Sequence, residues 1–174
     1  MARIPYIKEN EHPELAEMIA SVRARRAGDL SPVARMLLHS PPLADGWMKL
    51  FTVIRYQTTF SPRLRELIIA RIGVRNGARY EVEAHRSHAL DEGVTPAQLD
   101  AIADWRQSAL FDANDRAVLT YTDAITDDIK VSDEVFAGVR ALFDDRQLVE
   151  LTGTIAAYSL VSRFLVALEI EPGD

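Results

Sequence analysis

The chain has 174 residues, with 20 basic against 26 acidic side chains, 48% apolar residues and no cysteine. That apolar share fills one core of single-domain size, and a net charge of −6 provides no basic surface for nucleic acid or an anionic membrane. The absence of thiols removes disulfides, thiolate nucleophiles, zinc–thiolate sites and iron–sulfur clusters together. The opening Met-Ala-Arg-Ile-Pro-Tyr-Ile-Lys has no apolar run of leader length, so a soluble, cytoplasmic protein is expected.

Proline and glycine sit where helices begin and end, and no stretch alternates apolar and polar residues between hairpin turns. His12-Pro13 opens a helical segment running to Ala27 and stopping at Gly28. Ser31-Pro32 reads as a cap followed by proline in the first turn, with a break at Ser40-Pro41-Pro42. A third segment covers Leu43 to Thr59. Ser61-Pro62 then starts a helix with Leu64, Leu67, Ile68, Arg71 and Ile72 on one face, ending near Asn76-Gly77. The next helix stops before Gly93. Thr95-Pro96-Ala97-Gln98 has capping-box spacing and starts a helix ending near Trp105. Asp112 and Ser132 read as caps of two more, and a last helix runs from Asp144 or Asp145 to about Ile170. The expectation is an all-α protein of about eight or nine helices, a single domain over residues 1–174 with no linker.

Between Leu151 and Leu168 the last helix carries Arg163 as its only charge, close to the composition of a membrane span. Thr152, Thr154, Ser159 and Ser162 dilute its hydrophobicity, and Arg163 would be costly inside a bilayer. A core helix that also serves a subunit interface is the better reading, with no membrane partner. Arg23, Arg25 and Arg26 read as a solvated helix end. Trp47, Phe51 and Tyr56 read as core or interface rather than a ligand cage.

The chemistry concentrates between Glu66 and Thr95. On a helix starting near Ala78, the spacing places Glu81, His85 and His88 along one stripe, with Glu83 on another face. The Asn76-Gly77 corner folds the preceding helix back so that Glu66 can face that stripe. An imidazole beside two carboxylates offers an acid and a base side by side, suited to proton transfer at carbon. Other readings stand beside this one. Glu66 could pair with an arginine such as Arg163 to join two helices, His85 could be a satisfied core histidine, and Glu81, His85 and His88 could hold a metal.

The same residues resemble the carboxymuconolactone decarboxylase family, which includes the AhpD-like alkylhydroperoxidases. Its thiol branch carries Glu-x11-Cys-x2-Cys-x3-His, and the chain aligns with it without a gap. Glu66 takes the glutamate position, Ala78 and Glu81 the two cysteine positions, and His85 the histidine, with Asn76, Gly77, Tyr80 and Gly93-Val94-Thr95 also in place. Without the two thiols the peroxidase and disulfide-reductase route is closed, and Tyr-Glu-x-x-x-His looks like a thiol-free branch of decarboxylase-like proteins. The resemblance implies an AhpD-like helical fold assembled as a homotrimer or homohexamer.

The expected function is that of a cofactor-independent lyase acting on a small carboxylated cyclic or aromatic-derived compound. Glu81 and His85 are the proton-transfer partners and Glu66 the orienter. Decarboxylation of this kind needs a cation or amide to hold the carboxylate, a dry pocket, and an acid to protonate the enolate-like carbon; no cofactor is required. Arg163, Arg71, Arg75, Tyr80 and Tyr158 are the candidate substrate holders. The alternative is a non-catalytic ligand-binding or assembly protein of the same fold.

Overall fold

The computed structural model describes residues 2–26, 28 and 30–174, which form nine α-helices and three short 3-10 segments with no strand among them. The fold class is therefore all-α. Packing groups the chain into two compact units, residues 1–58 with 168–174, and residues 59–167.

The first unit holds α1 (Ala16–Arg26), α2 (Pro32–Leu37) and α3 (Pro41–Tyr56), with α1 and α2 both packed on α3. Two 3-10 turns, Glu9–Glu11 and Pro13–Leu15, precede α1, so the segment opened by Pro13 is not α-helical from its start. Its expected end at Ala27 lies outside the described residues. Pro41 and Pro42 begin α3 rather than break the chain, because the first turn of a helix needs no amide protons there. Trp47 and Phe51 are buried with ring centroids 5.0 Å apart, whereas Tyr56 is 65% exposed and belongs to no core. Of the basic run, Arg23 chelates Glu9 through both terminal nitrogens, at 2.9 and 2.7 Å.

The second unit contains α4 (Pro62–Arg75), α5 (Arg79–Asp91), α6 (Pro96–Ala101), a 3-10 segment Ile102–Gln107, α7 (Ala113–Asp127), α8 (Asp133–Arg140) and most of α9 (Asp145–Leu168). Several starts follow the sequence expectation closely. Thr95 and Gln98 form a reciprocal capping box, and the side chains of Asp112 and Ser132 accept from Asp115 and Val135. Asp144 and Gln147 exchange the same pair of bonds at the head of α9. The helix expected to reach Trp105 instead tightens into 3-10 geometry after Ala101, with Asp104 off helical dihedrals at φ −112°, ψ 32°.

At the centre of the second unit, α4 is buried on every side from Arg65 to Gly73, not along one stripe. Its neighbours are α5, α7 and the 3-10 segment. Toward α7 the pairing has a constant register: Arg63 meets Asp115, Arg71 meets Asp123 and Arg75 meets Asp127, each 52 residues apart, with Leu67 and Leu119 in one apolar cluster at the same offset. Equal steps of four along both helices mean that α4 and α7 run parallel, side by side. Arg71 and Asp123 are both buried, and the carboxylate also receives Trp105 Nε1 and Arg106. The Arg71 guanidinium further donates to the carbonyls of Ile102 and Ala103, which explains how a charged pair is tolerated inside the core and pins the 3-10 segment to α4.

Toward α5 the approach is governed by Gly73 and Gly77. A Cβ on Gly73 would lie 2.8 Å from Val82 Cγ2, so only glycine lets the two helices come this close. Gly77 adopts φ +69°, and the bonds Ala78 N–H to Gly73 O and Gly77 N–H to Val74 O complete a Schellman turn that reverses the chain into α5.

α9 is long and apolar enough to cross a membrane by length and composition, and half of its most apolar window is buried. Leu151, Ile155, Tyr158 and Leu165 face inward.

Candidate active site

The α4–α5 corner sets two helix turns against each other and brings Glu66 and His85 into contact. His85 Nδ1 lies 2.8 Å from Glu66 Oε2, and Arg65 Nε donates to the other oxygen at 3.2 Å. Arg65 continues toward Glu92, 3.8 Å away, so four charged or titratable groups form a chain from the surface inward. Burial by itself raises the Glu66 pKa, but the hydrogen bond and charge of His85, followed by those of Arg65, outweigh it and hold the carboxyl below its ordinary value. An ionised Glu66 can only accept, so His85 Nδ1 carries the proton and Nε2 is the nitrogen that exchanges one. The imidazole and the Tyr158 ring stand perpendicular, centroids 5.3 Å apart and planes at 87°, a contact that braces the imidazole from the α9 side.

Glu66 therefore pairs with Arg65 and His85 and not with Arg163. The latter is exposed and donates to the backbone carbonyls of Ser159 and Thr126, at 3.2 and 3.4 Å. Arg71 and Arg75 are likewise committed to Asp123 and Asp127. Tyr80 is half-buried on α5, next to Glu81.

Glu81 is 2% exposed, and neither carboxylate oxygen has a hydrogen-bond partner among the described residues. It stands at the third position of α5, where a glutamate ordinarily reaches back to the amide of the cap residue. Here that amide, Ala78 N–H, is already bonded to Gly73 O in the Schellman turn. The carboxyl is thus buried without its usual partner, and desolvation pushes it well above the ordinary glutamate value, favouring the neutral acid.

His85 borders a small recess, open in part to solvent, whose other walls are Ala70 of α4, Val82, Arg86 and Ala89 of α5, and Leu99 and Ile102 from the following turns. Glu66 and Glu81 do not line it, so the three expected site residues do not share one cavity: His85 stands between the recess and the Glu66 carboxylate. The alternative metal set of Glu81, His85 and His88 does not assemble either. His88 is exposed, and no three His, Asp or Glu side chains among the described residues converge as ligands. Arg65 and Arg86 went unnoticed in the sequence. The first directly precedes Glu66, a spacing that usually separates side chains on a helix; the second extends the row Val82, Arg86, Ala89, which could have flagged a second face beside the Glu81–His85 stripe.

Known proteins place the chain consistently. The Carboxymuconolactone decarboxylase family model matches residues 41–124. An uncharacterized Escherichia coli protein, YnjA, is 31% identical over 126 residues, covering 72% of this chain and 66% of its own length. Among solved structures, the AhpD core of a peroxidase-related protein from Ralstonia eutropha superposes with a TM-score of 0.83 at 18% identity, covering 99% of this chain and 93% of that one. A debrominase in complex with 2,3,4-tribromopyrrole superposes with a TM-score of 0.76 at 16% identity, covering 97% and 92%. These last two establish the fold alone. Residues 41–124 thus match the carboxymuconolactone decarboxylase family, and the chain has the AhpD-like fold.

Proposed function

We propose that the protein is a cofactor-independent enzyme of the lyase type that transfers a proton at carbon on a small carboxylated cyclic or aromatic-derived compound. The observation that carries this reading is His85, held by the ionised Glu66 at 2.8 Å on one side and bordering an apolar recess on the other. Glu66 fixes the tautomer and orientation, and His85 Nε2 takes up or delivers the proton. Glu81, one helical turn before His85 on the same stripe, lies outside the recess, and its raised pKa makes it a proton store behind the imidazole rather than a donor to the substrate. In a decarboxylation, the carbon–carbon bond to the carboxylate breaks, carbon dioxide leaves, the electron pair delocalises as an enolate, and a proton delivered by His85 completes the product. A protein of the same fold holds a small halogenated pyrrole, which supports a ring-sized ligand.

We further propose that the chain assembles as a homotrimer or homohexamer, supported by Val149, Leu160 and Val166, which leave 73%, 47% and 48% of their surface exposed along α9.

A panel of unsaturated lactone acids and cyclic keto acids, followed by NMR for solvent deuterium incorporation and carbon dioxide release, tests the activity. His85→Ala should lower turnover by about 10²- to 10⁴-fold with the fold intact. Wild-type rates in that variant, or no exchange across the panel, would overturn the enzyme reading.

A further inference from the structure

We infer that Arg86 is the specificity-determining cation of the recess beside His85, selecting ligands that carry a carboxylate, and that Asp100 is the counter-ion an incoming carboxylate displaces. This rests on the proposed use of the recess as the substrate site. On α5, Val82, His85, Arg86 and Ala89 form one contiguous patch, so the imidazole and the guanidinium edge the same apolar floor. They are the two polar side chains among the recess walls; Ala70, Leu99 and Ile102 complete it from α4, α6 and the 3-10 segment.

The arginines of α4 around the site are engaged elsewhere. Arg65 is buried against Glu66, Arg71 is buried against Asp123 and two carbonyls, and Arg75 is chelated by Asp127 through both carboxylate oxygens. Arg86 instead donates from Nη2 to Asp100 Oδ1 at 3.3 Å, between side chains that remain 47% and 70% exposed. A single long contact in water stabilises little, whereas a carboxylate on a guanidinium at the rim of an apolar wall can form two parallel charge-assisted bonds. A ring acid anchored this way rests its apolar body against the half-buried Val82 and Leu99, beside His85.

The test uses the full-length protein with benzoate and its uncharged analogue benzamide, followed through the His85 imidazole resonances. Benzoate should shift them, Arg86→Gln should weaken benzoate binding about tenfold or more, and Arg86→Lys should recover part of the loss. Benzamide binding should not respond to either change, a selectivity that a structural role for Arg86 would not produce. Asp100→Asn should leave benzoate binding unchanged or about twofold tighter. Equal benzoate affinity in wild type and Arg86→Gln would overturn the assignment, as would weakening in Asp100→Asn. Silence of the His85 resonances to both probes would make the recess a packing void only and overturn it as well. Arg86-dependent benzoate binding combined with normal turnover in His85→Ala would leave this inference standing while removing the proposed reaction.

Discussion

The two faces of α4 treat charge in opposite ways. Facing α7, three arginines meet three aspartates in a fixed register, and the buried Asp123 collects donors from Arg71, Arg106 and Trp105. Facing α5, Glu66 is shared between Arg65 and a histidine, and Glu81 on the opposing helix has no partner among the described residues. Buried polar groups that are fully satisfied hold a structure; those left incompletely satisfied cost stability and persist where chemistry uses them. The first face is a fastening, and the second is where we propose the site.

Breaking the fastening should have the largest effect. Asp123→Ala strands the Arg71 guanidinium inside the core, and urea denaturation should show a loss of about 3–5 kcal/mol, with the 3-10 segment released first in hydrogen exchange. The site should respond with the opposite sign. Glu81→Leu replaces an unpartnered buried carboxyl by an apolar group, and should stabilise the protein at pH 7 by about 1–3 kcal/mol while reducing turnover.

The pH dependence sharpens the contrast, because the two glutamates are displaced in opposite directions. Glu81 is raised, so the folded protein keeps its proton after the unfolded chain has lost it; its contribution is full below the ordinary value of 4.5 and is lost as pH rises toward the folded value. Glu66 is lowered, so its contribution is present above 4.5 and is lost as pH falls through the folded value. The decline in stability above pH 4.5 should therefore flatten in Glu81→Leu, as read from denaturation midpoints across the range.

The smallest effect belongs to the exposed end of the fastening. Arg75→Gln removes the solvent-facing pair with Asp127, and the urea midpoint should stay where it is at physiological salt, with any difference confined to low ionic strength.

Much of this architecture was legible in the residues because its causes are local. Thr95 with Gln98, and Asp112 and Ser132 as caps, act within one helical turn, and Asn76-Gly77 marks a reversal that depends on a single positive φ. The spacing of Glu81, His85 and His88 fixed which side chains share a stripe of α5, since helix geometry alone decides that. Partner choice was not legible. Arg163, the expected mate of Glu66, is engaged by backbone carbonyls, and the arginines on α4 find their aspartates 52 residues away through a parallel helix packing that no local pattern announces.

The sequence by itself determined the helices, their capped starts and the order of chemical groups along them, because hydrogen bonding within a turn and a 3.6-residue period need no other part of the chain. Tertiary structure decided which charges are neutralised and which are left. Ala78 N–H went to Gly73 O, and Glu81 lost its capping partner; Leu99 and Ile102 closed over Ala70 and Val82, and a histidine on a stripe became a histidine at the edge of a recess. Such outcomes depend on competition for donors and on space between helices distant in sequence, and both exist only once the chain has packed.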